Sequence, residues 1–163
     1  MNDDIIFAKE DEEIIENKKE PWIVLVADDD GTIHLVTEMV LRDFEFENRP
    51  VKLLKAYSAK QTLEVLKKDP KIAVILLDVV MESINAGLDA VPLIRNELGN
   101  RKVRIIIRTG HAGSATVSEI IRQYDINDFK SKGHLDNDRL KDTVTLALRN
   151  YRDIYKNGKS HLW

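Results

Sequence analysis

Apolar residues in this chain fall into two rhythms that alternate along its length. Short continuous runs, Trp22 to Ala27 (WIVLVA), Val51 to Tyr57, Lys71 to Met81 (KIAVILLDVVM), Lys102 to Arg108 (KVRIIIR) and a shorter one within Ile126 to Ser131, are rich in β-branched residues. Such runs predict strands covered on both faces. Between them the apolar positions recur at helical spacing. Ile33, Val36, Val40 and Phe44 share one face, as do Leu63 and Leu66, then Leu88, Val91, Ile94 and Leu98. Further on come Val117, Ile120, Ile121 and Tyr124, and finally Leu140, Val144, Ala147, Tyr151 and Ile154. Five strands alternating with five helices predict an α/β domain, a doubly wound parallel sheet with helices on both faces.

Local signals mark the boundaries. Ser58 with Gln61 three residues on is a capping box, and Asp69-Pro70 stops that helix. Ser114 can cap the fourth helix. Gly99 stands where a helix end favours a left-handed residue, whereas Pro92 predicts a helix that begins near Ala90 or kinks there. Residues 45–50 (EFENRP) read as a connection, and the last helix ends near Asn157-Gly158. Residues 1–20 carry eight acids against three lysines with isolated apolar clumps, the composition of a solvated tail or of a short amphipathic helix that docks elsewhere. The domain division is thus an acidic tail (1–20), a folded domain (21–156) and a C-terminal tail (157–163).

Composition narrows the function. A net charge of −3 gives no general pull toward nucleic acid or an anionic membrane, so no direct nucleic-acid contact is expected. The chain has no cysteine, which removes disulfides, thiolate catalysis and cysteine metal sites. No apolar run approaches the roughly 20 residues of a membrane helix, and the acidic start lacks the features of a signal peptide. A cytoplasmic protein with no membrane association is the expectation. The four histidines (His34, His111, His134, His161) show no metal-ligand spacing.

In a doubly wound sheet ligands bind beyond the carboxyl ends of the strands. Those ends carry Asp28, Asp29 and Asp30 after the first strand, Asp78 after the third, Thr109 after the fourth and Lys132 after the fifth. Asp78 is a lone acid closing an apolar run, and an ionised carboxylate is costly to bury unpaired. Grouped carboxylates repel unless a cation compensates, and an all-oxygen set selects a hard ion such as Mg²⁺. A carboxylate beside such an ion can accept a phosphoryl group as an acyl phosphate, with a lysine ammonium neutralising the equatorial oxygens and a hydroxyl bonding one of them. Asp78 is the candidate acceptor, Thr109 the hydroxyl and Lys132 the ammonium. Asp30 is better placed to cap the next helix than to bind metal.

Four separated pieces in order, VLVADDD at 24–30, LLDVVM at 76–81, IIIRTG at 105–110 and NDFKSK at 127–132, make the chain resemble a response-regulator receiver domain. The resemblance implies a flavodoxin-like (βα)5 fold with strand order 2-1-3-4-5. It implies phosphorylation of Asp78, Mg²⁺ as cofactor, Asp29 as a direct metal ligand, Asp28 acting mainly through metal-bound water, and the backbone carbonyl of Val80 as a further ligand. Phe129 falls where the family has a switching aromatic. A histidine kinase or phosphotransfer protein is the implied phosphodonor, and a downstream output domain or protein the implied target. The face built from the fourth helix, fifth strand and fifth helix is the implied partner or homodimer surface. The pattern with Met81-Glu82, the RTG loop and NDFKSK further resembles receivers found ahead of HD-type cyclic-dinucleotide phosphodiesterases. Glu82 and Gly133 depart from the usual prolines, so the Lys132-Gly133 bond is expected to be trans.

Because receivers act by binding and signalling, the expectation is a protein that is not an enzyme. Two other readings compete. A Mg²⁺-dependent aspartyl-phosphate phosphatase or phosphotransferase is disfavoured because Val80 stands where such enzymes carry a second acid. A pseudo-receiver scaffold is favoured only by Glu82 and Gly133.

Overall fold

The computed structural model describes residues 19–113 and 115–160. The acidic tail as far as residue 18, the expected cap Ser114 and the histidine at position 161 lie outside the described residues. Six strands form one sheet: β1 (Trp22–Ala27), β2 (Glu45–Phe46), β3 (Arg49–Ala56), β4 (Ile72–Leu77), β5 (Arg104–Thr109) and β6 (Asp128–Ser131). Their order is β2-β3-β1-β4-β5-β6. The last five are parallel and reproduce the expected order of five strands.

The addition is β2, which pairs antiparallel with the start of β3. Residues 45–50 are thus a hairpin rather than a plain connection. Its two-residue loop, Glu47 and Asn48, holds φ at 54° and 58°, the left-handed pair that a tight hairpin turn needs. The usual Asn-Gly signal is missing, which hid it. Phe46 is buried by the hairpin, and its carbonyl accepts the indole N–H of Trp22 at 2.9 Å.

The helices are α1 (Gly31–Leu41), α2 (Ala59–Lys68), α3 (Ala86–Pro92), α4 (Val117–Gln123) and α5 (Asn137–Ser160). One apolar layer joins Val24, Val26, Val74, Leu76 and Ile106 to α1 and to Leu140, Val144 and Leu148 of α5. The other joins Leu25, Ile75, Leu77, Ile105 and Ile107 to α2, α3 and α4. Every residue of β4 and β5 is buried, which is why both read as continuous apolar runs.

Several helices depart from their sequence pattern for identifiable reasons. Helix α3 begins at Ala86, four residues ahead of the expected start, and at Pro92 it widens into a π-helical turn (Leu93–Glu97) in which Leu98 N–H donates to Leu93 O at 2.9 Å. Proline has no N–H for the ordinary ladder, so the turn expands around it. Gly99 then closes the helix at φ 63°. Helix α4 is capped by Thr116 and Glu119, which bond each other's backbone N–H groups. Only Ile120 of its apolar residues is buried, while Val117 and Ile121 are 42% and 55% exposed. Helix α5 continues past Gly158 to Ser160.

The largest departure is α1. Its inward residues are His34, Thr37 and Leu41, whereas Leu35, Val36 and Met39 face outward at 46% to 60% exposure. The polar pair is inside because partners await it there. His34 Nε2 lies 2.7 Å from the carbonyl of Asp28, and Thr37 Oγ1 accepts from the buried Arg108 guanidinium at 2.9 Å. Among the described residues no helix is long and apolar enough to cross a membrane.

Candidate phosphoacceptor site

The site lies where β1, β4, β5 and β6 end. Parallel register brings Ala27 beside Leu77 and Leu77 beside Ile107, so the residues that follow, Asp28, Asp78 and Arg108, form one row across the sheet. Asp78 is 5% exposed, held by its own N–H donating to Ala27 O at 2.9 Å. Its Oδ1 accepts from Val79 N–H at 2.8 Å and from the Thr109 hydroxyl at 2.6 Å. Lys132 Nζ donates to its Oδ2 at 2.9 Å and stands 2.8 Å from Asp28 Oδ2. The four residues assigned to acceptor, acid, hydroxyl and ammonium are therefore joined in one series of contacts, Thr109 to Asp78 to Lys132 to Asp28. The Lys132-Gly133 bond is trans, as are all described peptide bonds.

Charge balance explains the lysine's position. Burial pushes the Asp28 carboxyl above its ordinary range, opposed by contacts with Lys132 and by the Asp30 N–H, which donates to Asp28 Oδ1 at 2.9 Å. Burial works against the Lys132 ammonium as well, but its contacts with Asp28 and Asp78 outweigh that and raise its pKa. Asp29 is exposed at the rim. Oxygens of Asp28, Asp29 and Asp78 all lie within 4.8 Å of one another. Asp28 Oδ2 is buried, is paired in charge with Lys132 and makes no hydrogen bond. A fully oxygen donor set with one such acceptor fits a hard divalent cation. Asp30 instead caps α1, its Oδ1 accepting from Thr32 N–H at 2.9 Å.

Thr109 has a single proton for two acceptors, since His111 O also lies 2.7 Å from its Oγ1. That hydroxyl can thus turn between Asp78 and its own loop. Val80 is half-buried against the core two residues past Asp78. Phe129, on β6, is half-buried and lines a cavity of about 200 Å³ with Val117 and Ile121.

Three functional features were not drawn from the sequence. Glu82, which replaces a proline, reaches across to α2, where its carboxylate accepts from Ala59 N–H at 2.7 Å and from Lys60 N–H at 3.3 Å. Burial alone would raise its pKa, yet these N–H groups together lower it. Glu82→Gln is expected to lower stability by about 0.5 kcal/mol, the small end for a helix-end contact that solvent screens. Because the folded pKa is depressed, the wild-type advantage is complete above the ordinary value of 4.5 and is lost as pH falls through the lower folded value. Urea melts of both proteins over a pH series from 7 downward check this; an advantage that does not begin to shrink as pH falls below 4.5 contradicts the carboxylate's role. Gly87 packs its backbone on Asp78, with its N–H donating to Val79 O at 2.9 Å. Arg108 is buried beside the acids, and the signal was present: like Asp78, it is a charge closing an apolar run.

Comparison with known proteins agrees with this geometry. Residues 24–145 match the family described as response regulator receiver domain. Along 160 residues the chain is 41% identical to the 3'3'-cGAMP-specific phosphodiesterase 2 of Vibrio cholerae, covering 95% of this chain and 31% of that protein. Among solved structures, the signal receiver domain of an HD domain-containing protein from Pseudomonas fluorescens Pf-5 superposes with a TM-score of 0.69 at 18% identity, covering 82% of this chain and 99% of that one. A CheY-like response regulator receiver domain protein from Methanospirillum hungatei JF-1 gives 0.64 at 22% identity, covering 80% and 97%. One expectation is overturned. The expectation of a protein that is not an enzyme does not stand, because the Vibrio cholerae relative is a phosphodiesterase, although the part of it that this chain matches is not thereby shown to be catalytic. The chain spans about a third of that enzyme's length.

Receivers of this family generally bind Mg²⁺ at an acidic pocket and pair with histidine kinases and output domains, and this chain has an aspartate cluster at Asp28, Asp29 and Asp78. With the fold, the match over residues 24–145 and the joined strand ends in agreement, the chain belongs to the response regulator receiver domain family and serves two-component signalling.

Proposed function

We propose that Asp78 receives the phosphoryl group of a phosphohistidine, with Asp28 and Asp29 holding Mg²⁺ together with an Asp78 oxygen and the Val80 carbonyl. The observation that carries this reading is the joining of Asp78 to Lys132 and Thr109 within the aspartate cluster. A carboxylate oxygen of Asp78 attacks phosphorus, the bond to the imidazole nitrogen breaks, and the imidazole leaves with the electron pair. Bound Mg²⁺ would supply positive charge to the transferring oxygens. Lys132 already stands at Asp78 Oδ2, so its ammonium meets the oxygens of a group attached there. The Thr109 hydroxyl turns from Asp78 Oδ1 to a phosphoryl oxygen, giving up its present bond.

That movement of Thr109 is the trigger for the surface change. The cavity beside Phe129 offers room for the ring to turn, and exposed Val117, Ile121 and Leu146 lie on the face of α4, β6 and α5. We assign that face to a partner or a second copy, and the receiver unit to residues 21–156 of a cytoplasmic protein, after an acidic tail (1–20) and before a C-terminal segment (157–163) into which α5 continues as far as Ser160. The identity with the Vibrio cholerae enzyme supports a cyclic-dinucleotide phosphodiesterase as output, in the same chain or a separate one. Incubation with acetyl phosphate and Mg²⁺, followed by intact mass, is expected to add one phosphoryl group, and chelation of the metal beforehand to prevent it. No gain in mass under either condition would refute the reading.

A further inference from the structure

The row across the sheet holds two acids, Asp28 and Asp78, then Arg108, whose register partner on β6 is Lys130. Lys130 is turned to the surface and pairs with Asp128 at 3.4 Å. Arg108 is not: it is 5% exposed, and its guanidinium spans from β5 to α1, where Nη1 donates to Thr37 Oγ1 at 2.9 Å. Thr37 in turn donates to Ile33 O at 2.6 Å. Nη2 is buried without a hydrogen-bond partner.

A guanidinium in that position is expensive. Burial lowers its pKa, and the charges that oppose this are Asp28 and Asp78, the two acids of the pocket above. A hydrophobic residue would fill the space under α1 at lower cost, so the cation needs a reason to be there. The reason is arithmetic on charge: Lys132 and Arg108 offset two of the three negative charges of Asp28, Asp29 and Asp78 when only the protein is present. A divalent cation entering the cluster then leaves an excess of one positive charge, which the one additional negative charge of an acyl phosphate on Asp78 cancels.

We propose that Arg108 is a positioning residue of the phosphoacceptor site, a permanent buried counter-charge to Asp28 and Asp78 that holds down Mg²⁺ affinity before phosphorylation and favours the phosphorylated pocket. This rests on the assignment of the aspartates as the metal site, but not on Asp78 being phosphorylated. At an effective dielectric of about 20, a unit charge roughly 10 Å from a divalent ion changes affinity by about a hundredfold or more, and counter-ion screening in an open pocket brings this toward tenfold.

The test is Mg²⁺ titration of the whole chain by calorimetry, with thermal melts at zero and saturating Mg²⁺. Arg108→Met is expected to bind Mg²⁺ roughly tenfold more tightly than wild type, to melt lower without metal and to gain more on adding it. Arg108→Lys, which keeps the charge, is expected to stay within about twofold of wild type, as is Thr37→Val, which removes only the hydrogen bond. A merely structural role would lower all melts equally with and without metal and leave affinity unchanged, and that result overturns the proposal. If Arg108→Met does not fold, Arg108→Gln takes its place, and tenfold tightening in Arg108→Lys would equally overturn the charge argument. Failure of wild type to bind Mg²⁺ at all would refute the metal site itself, whereas binding without acetyl-phosphate labelling would refute only the phosphoacceptor reading.

Discussion

Asp78→Asn is expected to remove Mg²⁺-dependent phosphoryl incorporation, by roughly 100-fold or more, while leaving the domain folded. The amide has the shape of the carboxylate, and its oxygen can still accept from Val79 N–H and the Thr109 hydroxyl, the two bonds that now end on Oδ1. What disappears is the nucleophile and one negative charge. Lys132 and Arg108 then face one buried acid, Asp28, instead of two, so Mg²⁺ also binds more weakly. The expected melting temperature lies within about 5 °C of wild type. Intact mass after acetyl-phosphate treatment, with peptide mapping of any residual label, checks this. Label that survives on Asp28 or Asp29 would mean that the acceptor has been misassigned.

Gly87→Ala is expected to cause the largest loss of stability of any single methyl addition among the described glycines. A Cβ built there lies 1.8 Å from the carbonyl oxygen of Asp78, 2.8 Å from its carbon and 3.1 Å from Val79 Cα. Each of these is backbone, so no side-chain rotation relieves the collision. Helix α3 must move off the end of β4, and the Gly87 N–H bond to Val79 O goes with it. Overpacking of this kind costs about 3 kcal/mol, and the lost bond about 1 more. For a domain of this size that lowers the melting temperature by roughly 8 to 16 °C. Gly31→Ala is the control: nothing lies within 4 Å of its added methyl group, and its effect is expected to stay within about 1 kcal/mol. Equal losses at the two positions would contradict the close approach as the cause. The damage also extends to function, since the loop that moves carries Val80.

Asp78 and Arg108 show why the sequence was legible in one place and silent in another. Both are charges at the end of apolar strands, but Asp78 belongs to a set of polar strand ends with one common chemistry, so its role could be inferred. Arg108 acts through a helix whose inward face had been misassigned. Its partner Thr37 looked like a surface residue because α1 was expected to bury Val36 and Val40. Apolar periodicity locates the buried face only where the surface it meets is itself apolar, and α1 meets the underside of a charged pocket. At α4 the helix meets the apolar core through Ile120 alone, so Val117 and Ile121, whose spacing also predicts burial, stay exposed. Glu82 was missed for another reason. Its partners belong to the N-terminus of α2, a contact set by the loop's path over the sheet rather than by local spacing. The central strands β1, β4 and β5 were legible because a sheet covered on both faces leaves a continuous signature, while the two-residue β2 is too short to leave any.

Helix α5 starts directly after the turn that carries Lys132 and runs for 24 residues, so at 1.5 Å per residue it is a rod of about 36 Å. Its near end follows the turn whose Lys132 holds Asp78, and Tyr151 in its far half packs edge-on against Trp22 at the opposite end of β1. A tilt of about 5° at the near end therefore sweeps the far end through about 3 Å. The helix amplifies mechanically, turning a side-chain-sized adjustment into a displacement as large as a water molecule.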